Sequence, residues 1–179
     1  GHQSLLADTI GDTTTAIGYQ AFPNQVSDGN NKTSGNTGVG YGVGSELTDG
    51  NQHTLVGYLA GRYNETGDNN TYIGYQAGYG VNNNNNSNNT AVGKDALLAI
   101  TTGTQNIAVG GLALDANTTA NYNVAIGYEA LSTSVTDSHN TAIGNNAMKD
   151  ANGAAHNVAV GSASMNNITT GDYNVGVGS

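Results

Sequence analysis

The sequence predicts an all-β fold, a parallel β-solenoid of about ten 17-residue coils, and three observations carry that prediction. A β-branched residue followed by Gly recurs at Gly18, Gly40, Gly57, Gly74, Gly93, Gly110, Gly127, Gly144, Gly161 and Gly178, with spacings of 22, 17, 17, 19, 17, 17, 17, 17 and 17. Around each of these ladder glycines the flanking columns repeat the same residue types. Gly and Asn at 27 each and Thr at 21 make up 75 of the 179 residues, a mixture that without such order would read as low complexity. Strict periodicity reverses that reading.

Each unit opens on a strand. The residue before the ladder Gly is Ile17, Val39, Val56, Ile73, Val92, Val109, Ile126, Ile143, Val160 or Val177. Two residues earlier stand Thr15, Thr37, Thr54, Thr71, Thr90, Ile107, Val124, Thr141, Val158 and Val175, all β-branched. Between these columns lies a mostly small residue such as Ala16, Gly38 or Ala125, with Leu55 and Tyr72 as exceptions. Alternation of period two in residues that suit a pleated surface is a strand signal, and no helical stripe competes with it. The ladder Gly then makes a corner that tolerates positive φ. A second apolar visit follows, read as a second short strand: Ala21, Val43, Ala60, Ala77 and their equivalents, then Phe22, Leu97, Leu114, Leu131, Met148 or Met165, but Gly44, Gly61 and Gly78 in the middle coils. The polar return loop carries Gly11, Gly50, Gly67, Gly103 or Gly171. It closes on Asn36, Asn70, Asn89, Asn106, Asn123, Asn140, Asn157 or Asn174, four residues before the next ladder Gly. Asn suits left-handed turns, and its amide can stack in a ladder.

Equivalent positions in successive coils are expected to stack about 4.8 Å apart, giving a rod of roughly 50 Å. Such a coil offers three bulky apolar side chains: one before the Gly, one two residues earlier and one after it. The Thr column is expected to be buried, and one β-branched column to face water along the rod. A long apolar stripe marks an interface, so self-association by cyclic symmetry is expected. Two insertions, at about residues 23–35 and 82–88, are expected to protrude and to supply variable ligand contacts. Both ends lack atypical capping repeats, so residues 1–179 read as a single repetitive domain, a stretch of a longer fibre.

Charge narrows the partners. Four basic residues against 13 acidic ones give a net charge of −9, which disfavours nucleic acid and anionic lipid surfaces. With no Cys, thiolate nucleophiles and Cys-ligated zinc are excluded. No apolar run approaches the ~18 residues of a membrane span, so direct membrane contact is not expected. No nucleophile elbow, metalloprotease helix or phosphate loop followed by a helix occurs, so neither enzymatic activity nor a cofactor is expected.

The units Asn123-Val124-Ala125-Ile126-Gly127, Asn140-Thr141-Ala142-Ile143-Gly144 and Asn157-Val158-Ala159-Val160-Gly161 resemble the Asn-Ser-Val-Ala-Ile-Gly signature of YadA-type heads. Those heads belong to trimeric autotransporter adhesins, and the column pattern covers every coil. The resemblance implies a left-handed parallel β-roll, a side-by-side homotrimer and an extracellular, cell-surface adhesive role toward a protein or glycan ligand. The unit here is longer than the family's usual one. Long-unit repeats of this kind also look like those of phage tail fibres, which would place the chain on a virion surface.

Candidate sites follow from the columns. Tyr19, Tyr41, Tyr58, Tyr75 and Tyr128 directly follow ladder glycines. They form either a stacking surface for sugar rings or protein, or a structural tyrosine stack, and registered repeats stack side chains whether or not anything binds. His139 and His156 share a column, with His53 one place along; in a trimer such histidines could ligate a metal, but solvated loop histidines are commoner and no metal site is assigned. Asp12, Asp68 and Asp172 share a loop position, where solubility is preferred over calcium binding. Flat Thr arrays could bind ice, but the interruptions at Ile107, Val124, Val158 and Val175, and the expected burial of the column, weigh against that class.

Overall fold

In the computed structural model, which describes residues 1–8, 13–26 and 34–179, the repeats form ten three-residue strands. They are β1 (Thr15–Ile17), β2 (Thr37–Val39), β3 (Thr54–Val56), β4 (Thr71–Ile73), β5 (Thr90–Val92), β6 (Ile107–Val109), β7 (Val124–Ile126), β8 (Thr141–Ile143), β9 (Val158–Val160) and β10 (Val175–Val177). All lie in one sheet in chain order, each parallel to the next. The pairing is in register column by column: Ile126 lies against Ile143, and Ile143 against Val160. The longer intervals are absorbed outside the sheet, since Thr15 still pairs with Thr37 and Thr71 with Thr90. The chain is therefore a parallel β-solenoid with coils of about 17 residues. Among the described residues there is no helix, and hence none long and apolar enough to cross a membrane.

The ladder glycines are required twice over. Gly127 sits at φ 139°, and a Cβ there would lie 2.3 Å from the carbonyl oxygen of Gly144. The same collision recurs along the column, so the stack closes only where no side chain stands at the corner.

The second apolar visit is not a strand. Alternate residues after the corner adopt left-handed φ, as at Glu129 (54°) and Leu131 (52°). The N–H groups of these two residues reach the two neighbouring coils in opposite directions along the rod. Glu129 N–H donates back to Gly111 O at 3.0 Å, and Leu131 N–H donates forward to Ala147 O at 3.1 Å. Left-handed φ costs an ordinary residue about 1–2 kcal/mol, and hydrogen bonds to both neighbouring coils hold it there. Apolar residues in sequence imitate a strand because the large side chain still points inward.

Side-chain parity within the strands is the reverse of the expected one. The small middle column is the core: Ala91, Ala108, Ala125, Ala142 and Ala159 are fully buried. Both β-branched columns face outward, Ile126 and Ile143 being 38% and 37% exposed. The Thr column is likewise on the outside, half-buried between its neighbours. The reason is width. Leu97, Leu114, Leu131 and Met148 fill the coil from the opposite side and leave room only for Ala beneath the sheet. The two exceptions obey the same rule inverted. A Cβ at Gly78 would lie 2.3 Å from the Tyr72 ring, and one at Gly61 would lie 2.9 Å from a Leu55 methyl. Phe22 likewise occupies the space above Gly38 and Gly44. One large side chain per layer, from either wall, satisfies close packing.

The Asn column forms a continuous internal ladder. Each Oδ1 accepts the N–H of the equivalent residue one coil on, from Asn70 to Asn89 (2.9 Å) through Asn140 to Asn157 (3.0 Å). Each amide nitrogen donates to a carbonyl of the following loop, as Asn106 does to Ala120 O at 2.8 Å. The side chain thus supplies hydrogen bonds where the backbone turns out of the sheet.

The insertion in the Asn82–Asn88 stretch is turned partly inward: Asn82, Asn83, Asn85 and Asn88 are exposed, but two residues point into the coil. Asn84 and Asn86 are fully buried. The Tyr72 hydroxyl donates to Asn86 Oδ1, while Asn84 Nδ2 donates to Ile100 O at 2.9 Å. Two extra residues lengthen the coil that houses the largest buried side chain, so this insertion is a packing device. Of the other insertion, Gln25 is buried and bonded to Asn36 and Thr14. Residues 27–33 lie outside the described residues, as do Gly11 and Asp12.

Candidate functional site

The outer face of the sheet and the corner beside it form one continuous strip along the rod. It comprises ten five-residue segments, from 15–19 to 175–179, each a strand, its ladder Gly and the next residue. Lys94 is the only charged residue in the strip, although the chain carries 17 charged side chains in all. Two outward β-branched columns and a tyrosine column lie side by side on it, where a single water-facing column had been expected.

Four of the five sequence-predicted tyrosines come together. Tyr19, Tyr41, Tyr58 and Tyr75 stack with ring centroids 5.3, 5.3 and 5.2 Å apart and planes within 13° of parallel. His2 extends the stack at 5.6 Å. Tyr128 stands apart, because Lys94 and Gly111 occupy the two intervening coils. The ring faces inside the stack are consumed by neighbouring rings. What the column presents outward is edges and hydroxyls, so a sugar ring has no open face to lie on except at the ends.

A second aromatic stack was only half visible in the sequence. His139 and His156 pack between Tyr122 and Tyr173, with centroids 4.8, 4.7 and 4.7 Å apart along the row. All four occupy the position five before a ladder Gly, so aligning that column for every aromatic residue finds the tyrosines too. Parallel imidazoles this far apart direct their nitrogens alongside one another, and one chain's pair cannot converge on a single tetrahedral ion with bonds of ~2.0–2.1 Å. Among the described residues, no group of three or more His, Cys, Asp or Glu side chains is placed to hold a metal.

His53 belongs to the Asn ladder instead. Its Nε2 donates to Gly67 O at 2.7 Å, and its Nδ1 accepts the N–H of Asn70 at 3.3 Å, reproducing both bonds of an Asn amide. Burial holds the ring below its ordinary pKa, against the opposing pull of these bonds and of Asp68. Asp68 and Asp172 also have coil-to-coil work: Asp68 accepts the N–H of Asn51 and Asp172 that of Ala155, each at 2.8 Å. These carboxylates stand in for ladder carbonyls and are spoken for by backbone donors.

No family model, curated protein or solved structure matches this chain.

Proposed function

We propose that the chain is a structural and adhesive fibre module, the head or shaft of an extracellular surface fibre. In this reading it is a left-handed β-roll that associates with two further copies side by side. The uncharged strip carries the proposal. For a chain with net charge −9, self-repulsion is weakest along this face, where two β-branched columns and the tyrosines face outward and Lys94 is the only charged residue. Depletion of charge at the centre of a patch with enrichment in aromatic residues is what a buried interface requires. A partner carrying the same repeat can match the strip coil for coil over its whole length. Three stiff rods then present each remaining surface feature in three copies, so weak contacts add by avidity.

Sedimentation equilibrium tests this directly. The expected mass is three times 18.1 kDa. Ile126→Asp with Ile143→Asp, which places carboxylates on two adjacent rungs, is expected to yield monomers that keep their β-sheet circular dichroism. A stable, monodisperse wild-type monomer would overturn the assembly.

A second reading of the same strip follows from the outward Thr column. Thr15, Thr37, Thr54, Thr71 and Thr90 form an uninterrupted outward-facing row over β1–β5, half-buried from Thr37 onward, so full burial no longer argues against ice binding. The row ends at Ile107, and copies packed on the strip would cover it. A thermal-hysteresis measurement separates the two: activity of the wild-type chain supports ice binding, and none removes it.

A further inference from the structure

Away from the strip, beside Pro23 and Asn24, a cleft of about 320 Å³ opens across the first coils. Its size falls within the ~300–1,000 Å³ of small-molecule sites. Its wall is polar, formed by Gln3, Gln20, Asn24, Ser45, Glu46 and Arg62, with Leu6 and Pro23 as the apolar part.

The polar groups are held in place and only partly used. Gln20 Nε2 donates to Gln3 Oε1 at 3.1 Å, which fixes both amides and, among the described residues, leaves the Gln3 nitrogen and the Gln20 oxygen without a hydrogen bond. Asn24 Nδ2 donates to Ser45 O at 2.7 Å, and its own oxygen has no hydrogen bond among the described residues. Arg62 is braced against two rings, its guanidinium 4.8 Å from the Tyr63 centroid and 5.8 Å from that of Tyr79, with Nη1 donating to the Tyr79 hydroxyl at 3.2 Å. Lys94 and Lys149 are paired with carboxylates, whereas Arg62 makes no ion pair among the described residues. Glu46 lines the same cleft without closing on it. Glu46 and Arg62 stand on neighbouring coils, the Glu46 N–H donating to Arg62 O at 2.9 Å, so a carboxylate and a guanidinium line the cleft beside the amides and offer it both acceptors and donors.

We infer that this cleft is a saccharide-binding site. Vicinal hydroxyls donate and accept at once, as do the amides of Gln3, Gln20 and Asn24, and a charged partner strengthens each bond to them. Leu6 and Pro23 offer the small apolar patch that a sugar's C–H groups need. The wall lacks the deep apolar socket by which a peptide side chain is anchored. The inference deepens the fibre reading by naming the ligand class, and it rests on that reading only for its multivalency, since trimerisation would set three such clefts on one rod.

The test is a printed array of neutral and acidic saccharides probed with the full chain, followed by titration calorimetry on the best binder. Binding in the millimolar range or tighter is expected, reduced at least tenfold by Arg62→Ala and by Gln20→Ala and unchanged by Tyr128→Ala, which alters the exposed corner instead. Glu46→Gln serves as the conservative variant and is expected to weaken binding with no change in thermal midpoint. Absence of any saccharide binding, or binding indifferent to Arg62 and Gln20, would overturn the site. Sedimentation of the same sample keeps the two proposals apart: a trimer that binds no saccharide fails here alone, and a monomer that binds through the cleft fails only in its assembly.

Discussion

Asn140→Ala removes one link of the internal ladder, and its cost can be worked out bond by bond. Asn140 is fully buried; its Nδ2 donates to Ala154 O at 2.8 Å and its Oδ1 accepts the N–H of Asn157 at 3.0 Å. Truncation to Ala strands one carbonyl and one N–H out of reach of water. Each costs about 1–3 kcal/mol, so the pair costs about 4 kcal/mol. That is a large fraction of the ~5–15 kcal/mol that stabilises an ordinary domain. In a stacked array each coil contacts only its neighbours, so the loss is local. Hydrogen exchange at the Asn157 amide is therefore the assay. At 1.4 kcal/mol per factor of ten, its protection should fall by about a thousandfold. Asn145→Ala is the control, because Asn145 is exposed in the outer strip and its side chain makes no hydrogen bond among the described residues. A loss of less than tenfold at Asn157, or the same loss in the control, would refute the reasoning.

His53 should make the fold acid-sensitive. Because burial lowers its pKa from the ordinary 6.5, the unfolded chain takes up the proton first, and stability present above about pH 6.5 is lost as the pH falls. His53→Asn, which restores the ladder residue, should flatten that part of the urea-midpoint profile between pH 7 and pH 5; an unchanged profile would contradict the assignment. Tyr72→Ala should cost about 3–5 kcal/mol as a cavity. Tyr72→Ala with Gly78→Leu, which copies Ala91 with Leu97, should recover at least about 2 kcal/mol in thermal unfolding. Gly127→Ala should cost about 3 kcal/mol or more through positive φ and collision with Gly144. Gly111→Ala, where the nearest atom to a new Cβ is 3.5 Å away, should be tolerated; equal denaturation midpoints for the two variants would count against the corner.

The spacing of the ladder Gly was enough to place all ten strands and their register, because a corner that admits no Cβ leaves the same mark in every coil. Which way the strands face was not legible from Thr15, Ile17 and their equivalents. A β-branched residue suits either face of a pleat, and the deciding quantity is the room left by the opposite wall. The sequence did hold the clue: Leu55 and Tyr72 replace Ala in the coils where Gly61 and Gly78 replace Leu. Reading the two exceptions as one volume exchange would have put the middle column inside. Left-handed φ at Leu97 or Leu131 leaves no composition signal, since it is imposed by hydrogen bonds to the neighbouring coils. The inward turn of Asn84 and Asn86 was hidden because an Asn run usually marks a solvated loop, and only the buried Tyr72 hydroxyl explains it. The tyrosine column was plain in the sequence. The cleft at Arg62 was not, because its residues come from four coils and its main column, Leu6, Pro23, Ser45 and Arg62, repeats in position without repeating in residue type.

The in-register stack is tested most directly by distances between spin labels along the tyrosine column. The chain has no Cys, so one label at Tyr128→Cys and a second at Tyr75, Tyr58, Tyr41 or Tyr19 replaced by Cys gives four clean pairs, diluted with unlabelled chain. These positions lie three, four, five and six coils from Tyr128, and the distance should grow by about 4.8 Å per coil, from ~14 to ~29 Å. The step from Tyr41 to Tyr19 should equal the others, although 22 residues separate that pair and 17 separate Tyr41 from Tyr58. Unequal steps, or a distance that fails to rise with coil number, would contradict the solenoid.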